Sequence, residues 1–130
     1  MEKQLNALLA DLVVEYHKLQ NFHWYVKGSD FFTAHAKLEE FYNYINEAID
    51  EVGELILMVN EKPLASLKDY LAVSAIKEAD LDYKNSKDVW VEVRQVKEAA
   101  EAKNLDVVGI QMDDYIKEFT KSIWMINQVL

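Results

Sequence analysis

Apolar side chains recur along this chain at steps of three and four, the spacing that lines one face of an α-helix. Over residues 4–26 the stripe is Leu5, Leu8, Leu12, Tyr16 and Leu19, and one further step of four reaches His23. Gly28 is placed to close this helix, with Lys27 favourable in its last turn and Asp30 ready to cap the next. The second pattern predicts a helix over 31–60. Its inward set is Leu38, Phe41, Ile45, Ala48, Val52, Leu55 and Val59, and Pro63 ends it. Ser66 and Asp69 have capping-box spacing at the start of a short helix, SLKDYL, and residues 72–85 read as an irregular connection. A helix over 87–103 follows, capped by Ser86 and stopped by Asn104, with Val89, Val93, Val96 and Ala100 inward. The last helix runs over 106–129, with Met112, Ile116, Phe119, Ile123 and Ile126 on one stripe.

Four long helices with a short one in the connection between the second and third predict an all-α fold. The expectation is a ferritin-like four-helix bundle with one long crossover, because plain up-down bundles use short links. The chain has 130 residues, 51% of them hydrophobic, enough for one core, so residues 1–130 are read as a single domain. Three glycines and one proline leave few turn formers for a sandwich or barrel.

Charge narrows the partners. The formal net charge is −9 and no run of lysines or arginines occurs. Nucleic acid is therefore disfavoured, since phosphate binding needs a basic surface, whereas cations are attracted. Without cysteine, a metal would have to be held by histidine and carboxylate, a set that suits iron, manganese or zinc. The N-terminal stretch lacks the basic start and apolar block of a signal peptide, and no apolar run approaches the length of a membrane span. A soluble cytoplasmic protein is the expectation.

The Glu-x-x-His pairs of di-iron bundles are missing: Val14, Gln20 and Phe32 stand three residues before His17, His23 and His35. The second helix offers two other pairs at i, i+4, His35/Glu39 and Asp50/Glu54. Eleven residues, roughly 16 Å of helix, separate Glu39 from Asp50, too far for one ion. Pairing the helix with a second copy of itself, antiparallel about a two-fold axis, would solve this. His35 with Glu54 and Glu39 with Asp50 share one midpoint, between Tyr44 and Ile45, so one register brings all four together twice. His23 could complete each site. Such charges equally suit a solvated helix face, and a histidine on an apolar stripe equally suits the core.

The segment NFHWYVKGSDFFTAHAKLEEFY, followed by IDEVGE, resembles the Dps proteins, the miniferritins named as DNA-binding proteins from starved cells. SIWM at 122–125 and KPLASLKDYL extend the likeness over nearly the whole chain. The resemblance implies a homo-oligomer, a hollow dodecamer that oxidises Fe(II) at sites between two-fold-related subunits, preferably with hydrogen peroxide, and stores ferric oxide inside. It places metal ligands on His23, His35 and Glu39 of one subunit and Asp50 and Glu54 of its partner. The bound metal would be iron, as one ion or a di-iron pair, with zinc or another divalent metal as substitute. Glu39 departs from the family's usual aspartate. Trp24 is the candidate electron donor, with interface packing as its plainer role. Asp106, Asp113 and Asp114 are candidates for an acidic iron-entry pore, Asp106 alternatively being a helix cap. Members that bind DNA tightly use a basic tail, and no such tail stands here, so tight DNA binding is not expected. His17 is read as a surface or interface histidine. Tyr42 and Tyr44 are placed at the two-fold contact, and Met58, Met112 and Met125 are read as core filler.

Overall fold

A computed structural model describes residues 2–111 and 113–130, with the side chains of residues 99–116 and 119 outside the described set. Five helices follow one another: α1 Glu2–Tyr25, α2 Phe31–Met58, α3 Leu67–Val73, α4 Ser86–Gln111 and α5 Asp113–Val129. Two short strands, β1 Val26–Lys27 and β2 Lys84–Asn85, pair in parallel with Val26 opposite Lys84. The predicted all-α, four-helix architecture with a short helix in the long crossover is the observed one.

The β1–β2 pairing explains why the crossover must be long. It holds the end of α1 against the start of α4, and α2 begins five residues beyond β1's first residue, at that same end. Helices α2 and α4 therefore start together, and the chain leaving the far end of α2 has to travel back before α4 can begin. It returns along α1, whose polar residues hold it. Asn6 donates to the Lys62 carbonyl (3.1 Å) and accepts from the Leu64 amide (2.9 Å). Asp11 accepts from the Ser74 hydroxyl (2.8 Å) and the Ala75 amide (2.9 Å). Lys18 and Asn21 donate to the carbonyls of Lys77 and Asp80, each at 2.9 Å. These contacts satisfy backbone groups of a segment with little secondary structure of its own. They also explain why α1 is buried well beyond its single predicted stripe, with Asn6 and Asp11 among its buried residues.

The core joins the predicted stripes. Leu5, Leu8, Leu12 and Leu19 of α1 meet Leu38, Phe41, Ile45, Ala48 and Val52 of α2, Val89 and Val93 of α4, and Ile126 of α5. Several boundaries differ from the sequence expectation. Asn60, not Pro63, closes α2: it takes the left-handed conformation (φ 61°), and the Glu61 amide donates to the Ile56 carbonyl at 3.0 Å. Asparagine tolerates that conformation better than most residues. The final core step on α2 is accordingly Ile56, while Val59 is exposed. Asn85, one residue before Ser86, caps α4 by accepting from the Asp88 amide at 2.9 Å. Asp30 does not cap α2 with its side chain, and instead accepts from the Ser86 hydroxyl at 3.1 Å. Asn104 does not stop α4, because a single asparagine costs a helix only a few tenths of a kcal/mol and no proline reinforces it. Asp106 therefore lies inside α4 and is not an N-cap. Ser66 caps α3, the Asp69 amide donating to its hydroxyl at 3.3 Å, and that hydroxyl in turn donates to the Asp69 carboxylate at 2.8 Å. Met58 is exposed rather than core filler, and Met112 lies outside the described residues.

Candidate metal centre

His23 sits in the last turn of α1 and His35 in the second turn of α2. The short link through β1 and Gly28, which adopts φ 115°, folds the two helices together. The imidazole rings stack 3.6 Å apart and nearly parallel, at 13°. Each ring is held by the other residue's backbone. Nδ1 of His23 donates to the His35 carbonyl at 2.6 Å, and Nδ1 of His35 donates to the His23 carbonyl at 2.8 Å. A carbonyl oxygen can only accept, so both Nδ1 atoms carry the proton. In the neutral rings Nε2 then keeps its lone pair, the state a metal-ligating imidazole needs.

Aromatic side chains close around this pair. Phe31 stacks on His35, with centroids 4.8 Å apart, and Tyr42 and His23 meet in a T-shaped contact with centroids 5.3 Å apart. The Tyr42 hydroxyl donates to Glu39 Oε1 at 3.5 Å. Burial first, then the Glu39 charge, raise the Tyr42 pKa above its ordinary value, so the phenol keeps its proton and stays a donor. Tyr42 is thus buried within its own chain, whereas Tyr44 is half-buried.

One end of α2 therefore carries His35, stacked on His23, and Glu39 one turn further along. Asp50 and Glu54 project from the same helix several turns away, both exposed. Among the described residues, no group of three or more His, Asp or Glu side chains comes together within one chain. Trp24 adjoins His23 in sequence and is 63% exposed. His17 is exposed on α1, and Met125 is half-buried. The side chains of Asp106, Asp113 and Asp114 lie outside the described residues.

A second polar cluster escaped the sequence reading. Glu15 of α1 and Lys97 of α4 are 0% and 2% exposed and approach to 4.0 Å. Neither Glu15 oxygen has a hydrogen-bond partner among the described residues, and Lys97 lies 4.4 Å from the Phe41 ring centroid. Burial pushes the Glu15 carboxyl up to about 7, against the pull of Lys97 and with the help of Asp11. Burial pushes Lys97 down, against Glu15 and Glu118. The signal was available, since Leu8, Asp11, Glu15, Leu19 and Phe22 form their own stripe at steps of three and four.

The ferritin-like domain pattern matches residues 2–130. DNA protection during starvation protein 2 of Bacillus anthracis is 36% identical over 136 residues, spanning 97% of this chain and 93% of that protein. The crystal structure of Dps from Staphylococcus aureus superposes with a TM-score of 0.83 at 34% identity, covering 99% of this chain and 93% of that one. The antigen TpF1 from Treponema pallidum gives 0.88 at 32% identity, over 99% and 90%. With a helical bundle that keeps its histidine pair at the α1–α2 turn, this chain belongs to the ferritin-like family, among the Dps miniferritins.

Proposed function

We propose that this protein is a ferroxidase miniferritin that binds Fe(II) at sites shared between two-fold-related chains, oxidises it, preferably with hydrogen peroxide, and stores the ferric oxide in a hollow dodecamer. The observation that carries this reading is the mutual anchoring of His23 and His35. It leaves the Nε2 atoms of two stacked imidazoles as donors, with Glu39 one turn further along α2, while Asp50 and Glu54 stand too far along the helix to reach the same ion. His23, His35 and Glu39 of one chain with Asp50 and Glu54 of a partner make a mixed nitrogen and oxygen set that suits ferrous iron. Zinc or another divalent metal would fit the same donors.

The protein's part is to gather and neutralise. Three carboxylates offset cationic charge that two neutral imidazoles cannot, and the fixed rings need no reorganisation when iron arrives. One peroxide takes one electron from each of two ferrous ions and two protons, giving two waters and no hydroxyl radical. Trp24 is the candidate donor of a further electron, and Asp106, Asp113 and Asp114 are the candidate entry route for iron. The acidic charge supports cation uptake and opposes a DNA coat, since twelve chains at −9 would carry about −108. Plasmid retardation at physiological salt by iron-free protein would favour the DNA-coating role over this one.

Chain mixing tests the shared site. His35→Ala and Asp50→Ala should each abolish fast peroxide-driven oxidation. Randomly mixed dimers of the two variants regain one intact site in each heterodimer, so about a quarter of the activity should return after co-refolding. No recovery, or wild-type rates in either single variant, would overturn the interchain assignment. Light scattering near the 15.1 kDa of one chain, instead of twelve times that, would overturn the shell.

A further inference from the structure

Of the three ligands proposed from one chain, His23, His35 and Glu39, only Glu39 is exposed, on a side chain with three rotatable bonds. Nothing about its exposure would keep its carboxylate beside the histidines. Tyr42, one turn on, is positioned to do so. It is 9% exposed, and its ring makes T-shaped contacts with Tyr16 (centroids 5.4 Å apart) and with His23 (5.3 Å). Its hydroxyl donates to Glu39 Oε1, 3.5 Å away. The T-shaped ring contacts with Tyr16 and His23 are ones phenylalanine could also make. The hydroxyl is what links a rigid buried ring to a mobile exposed acid.

We propose that Tyr42 is a positioning residue for the metal-binding set, its hydroxyl steering the Glu39 carboxylate and its ring steadying the His23 imidazole. This rests on the reading that His23, His35 and Glu39 bind iron. Tyr42 touches two of those three side chains, one on each helix, so it ties the separation of carboxylate and imidazole to the packing of α1 on α2. A side chain one methylene longer than aspartate has more arrangements to lose on binding, so restricting it beforehand favours the bound state.

Tyr42→Phe removes only the oxygen and keeps the ring in place. In the full-length assembled protein we expect KM for Fe(II) in peroxide-driven oxidation to rise about three- to tenfold with kcat within about twofold, the pattern of lost ground-state positioning. Cobalt(II), read by its visible ligand-field bands, should bind correspondingly more weakly, with an altered spectrum. In a Glu39→Ala background the same substitution should add less than about twofold, because the group it steers is gone. Tyr42→Leu, which also removes the ring, should keep weakening cobalt binding in that background through His23. An unchanged KM and cobalt affinity in Tyr42→Phe, or an equal fold-change with and without Glu39, overturns the positioning role. Should His35→Ala and Glu39→Ala themselves leave cobalt binding intact, the metal centre fails first. Loss of binding in those two with a silent Tyr42→Phe overturns the positioning role alone.

Discussion

The buried Glu15 makes stability depend on pH in an unusual direction, and Glu15→Gln isolates it. The carboxyl's folded pKa is raised from 4.5 to about 7 by burial. A carboxyl with a raised folded pKa contributes stability that is fully present below the unfolded value and is lost as pH rises through the folded one. The window is therefore pH 4.5 to about 7. At 1.36 kcal/mol per pH unit, the loss across it amounts to about 3 kcal/mol. Glutamine has the shape and hydrogen-bonding capacity of the protonated acid but does not titrate. The variant should match wild type near pH 4.5 and exceed it by about 3 kcal/mol near pH 7.5. Lys97 works at the other end of the scale. Its folded value lies below 10.5, so its contribution is complete above that pH and is lost as pH falls through the folded value. The assay is urea unfolding by far-UV circular dichroism, at one subunit concentration, across this range for both proteins. Subtracting the two curves removes the titrating groups that do not interact with Glu15, leaving Glu15 and the groups coupled to it, Lys97 and Asp11. A difference that stays flat from pH 4.5 to 7.5, or grows towards acid, refutes the reasoning.

Other consequences are simpler. Replacing both members of the pair, as Glu15→Leu with Lys97→Met, should be neutral or stabilising by about 1–4 kcal/mol, whereas Lys97→Met alone should lower urea stability at pH 8, where Glu15 is left charged. Asp11→Ala removes the acceptor of the Ser74 and Ala75 bonds, so limited proteolysis should cut faster near residue 75, at a cost of about 2–3 kcal/mol in urea stability; an unchanged cleavage rate would sink it. Gly28→Ala meets no atom within 4 Å but must adopt φ 115°, and should cost about 1–3 kcal/mol by thermal unfolding. Asn60→Gly should be neutral or mildly stabilising at its positive φ, while Asn60→Val should cost about 1–2 kcal/mol in the same measurement.

Helix number, the long crossover and most of the core could be read from hydrophobic spacing, because Leu38, Phe41, Ile45, Ala48 and Val52 can face only one way on a helix. Boundaries were less legible. Asn104 and Asn60 are the same residue type, yet one lies within a helix and the other ends one, and that choice belongs to the tertiary structure. The stacking of His23 on His35 was not legible either, since the link between them has to turn before the rings can meet. Asp11 and Glu15 were missed because a single apolar stripe was assigned to α1. In fact the helix is enclosed on two sides, one by the bundle and one by the returning crossover.

The exchange of Nδ1–H···O=C bonds between His23 and His35 makes the α1–α2 turn and the ligand pair one mechanical unit. Opening the hairpin disperses both nitrogens at once, so an ion held there must be released before these helix ends can part. By mass action, an ion at 100 times its dissociation constant would add about 2.7 kcal/mol to the free energy of that opening. Metal saturation would then be recorded by the slowing of amide exchange around Val26 to Ala34, and that local clock would run without any oxidation taking place.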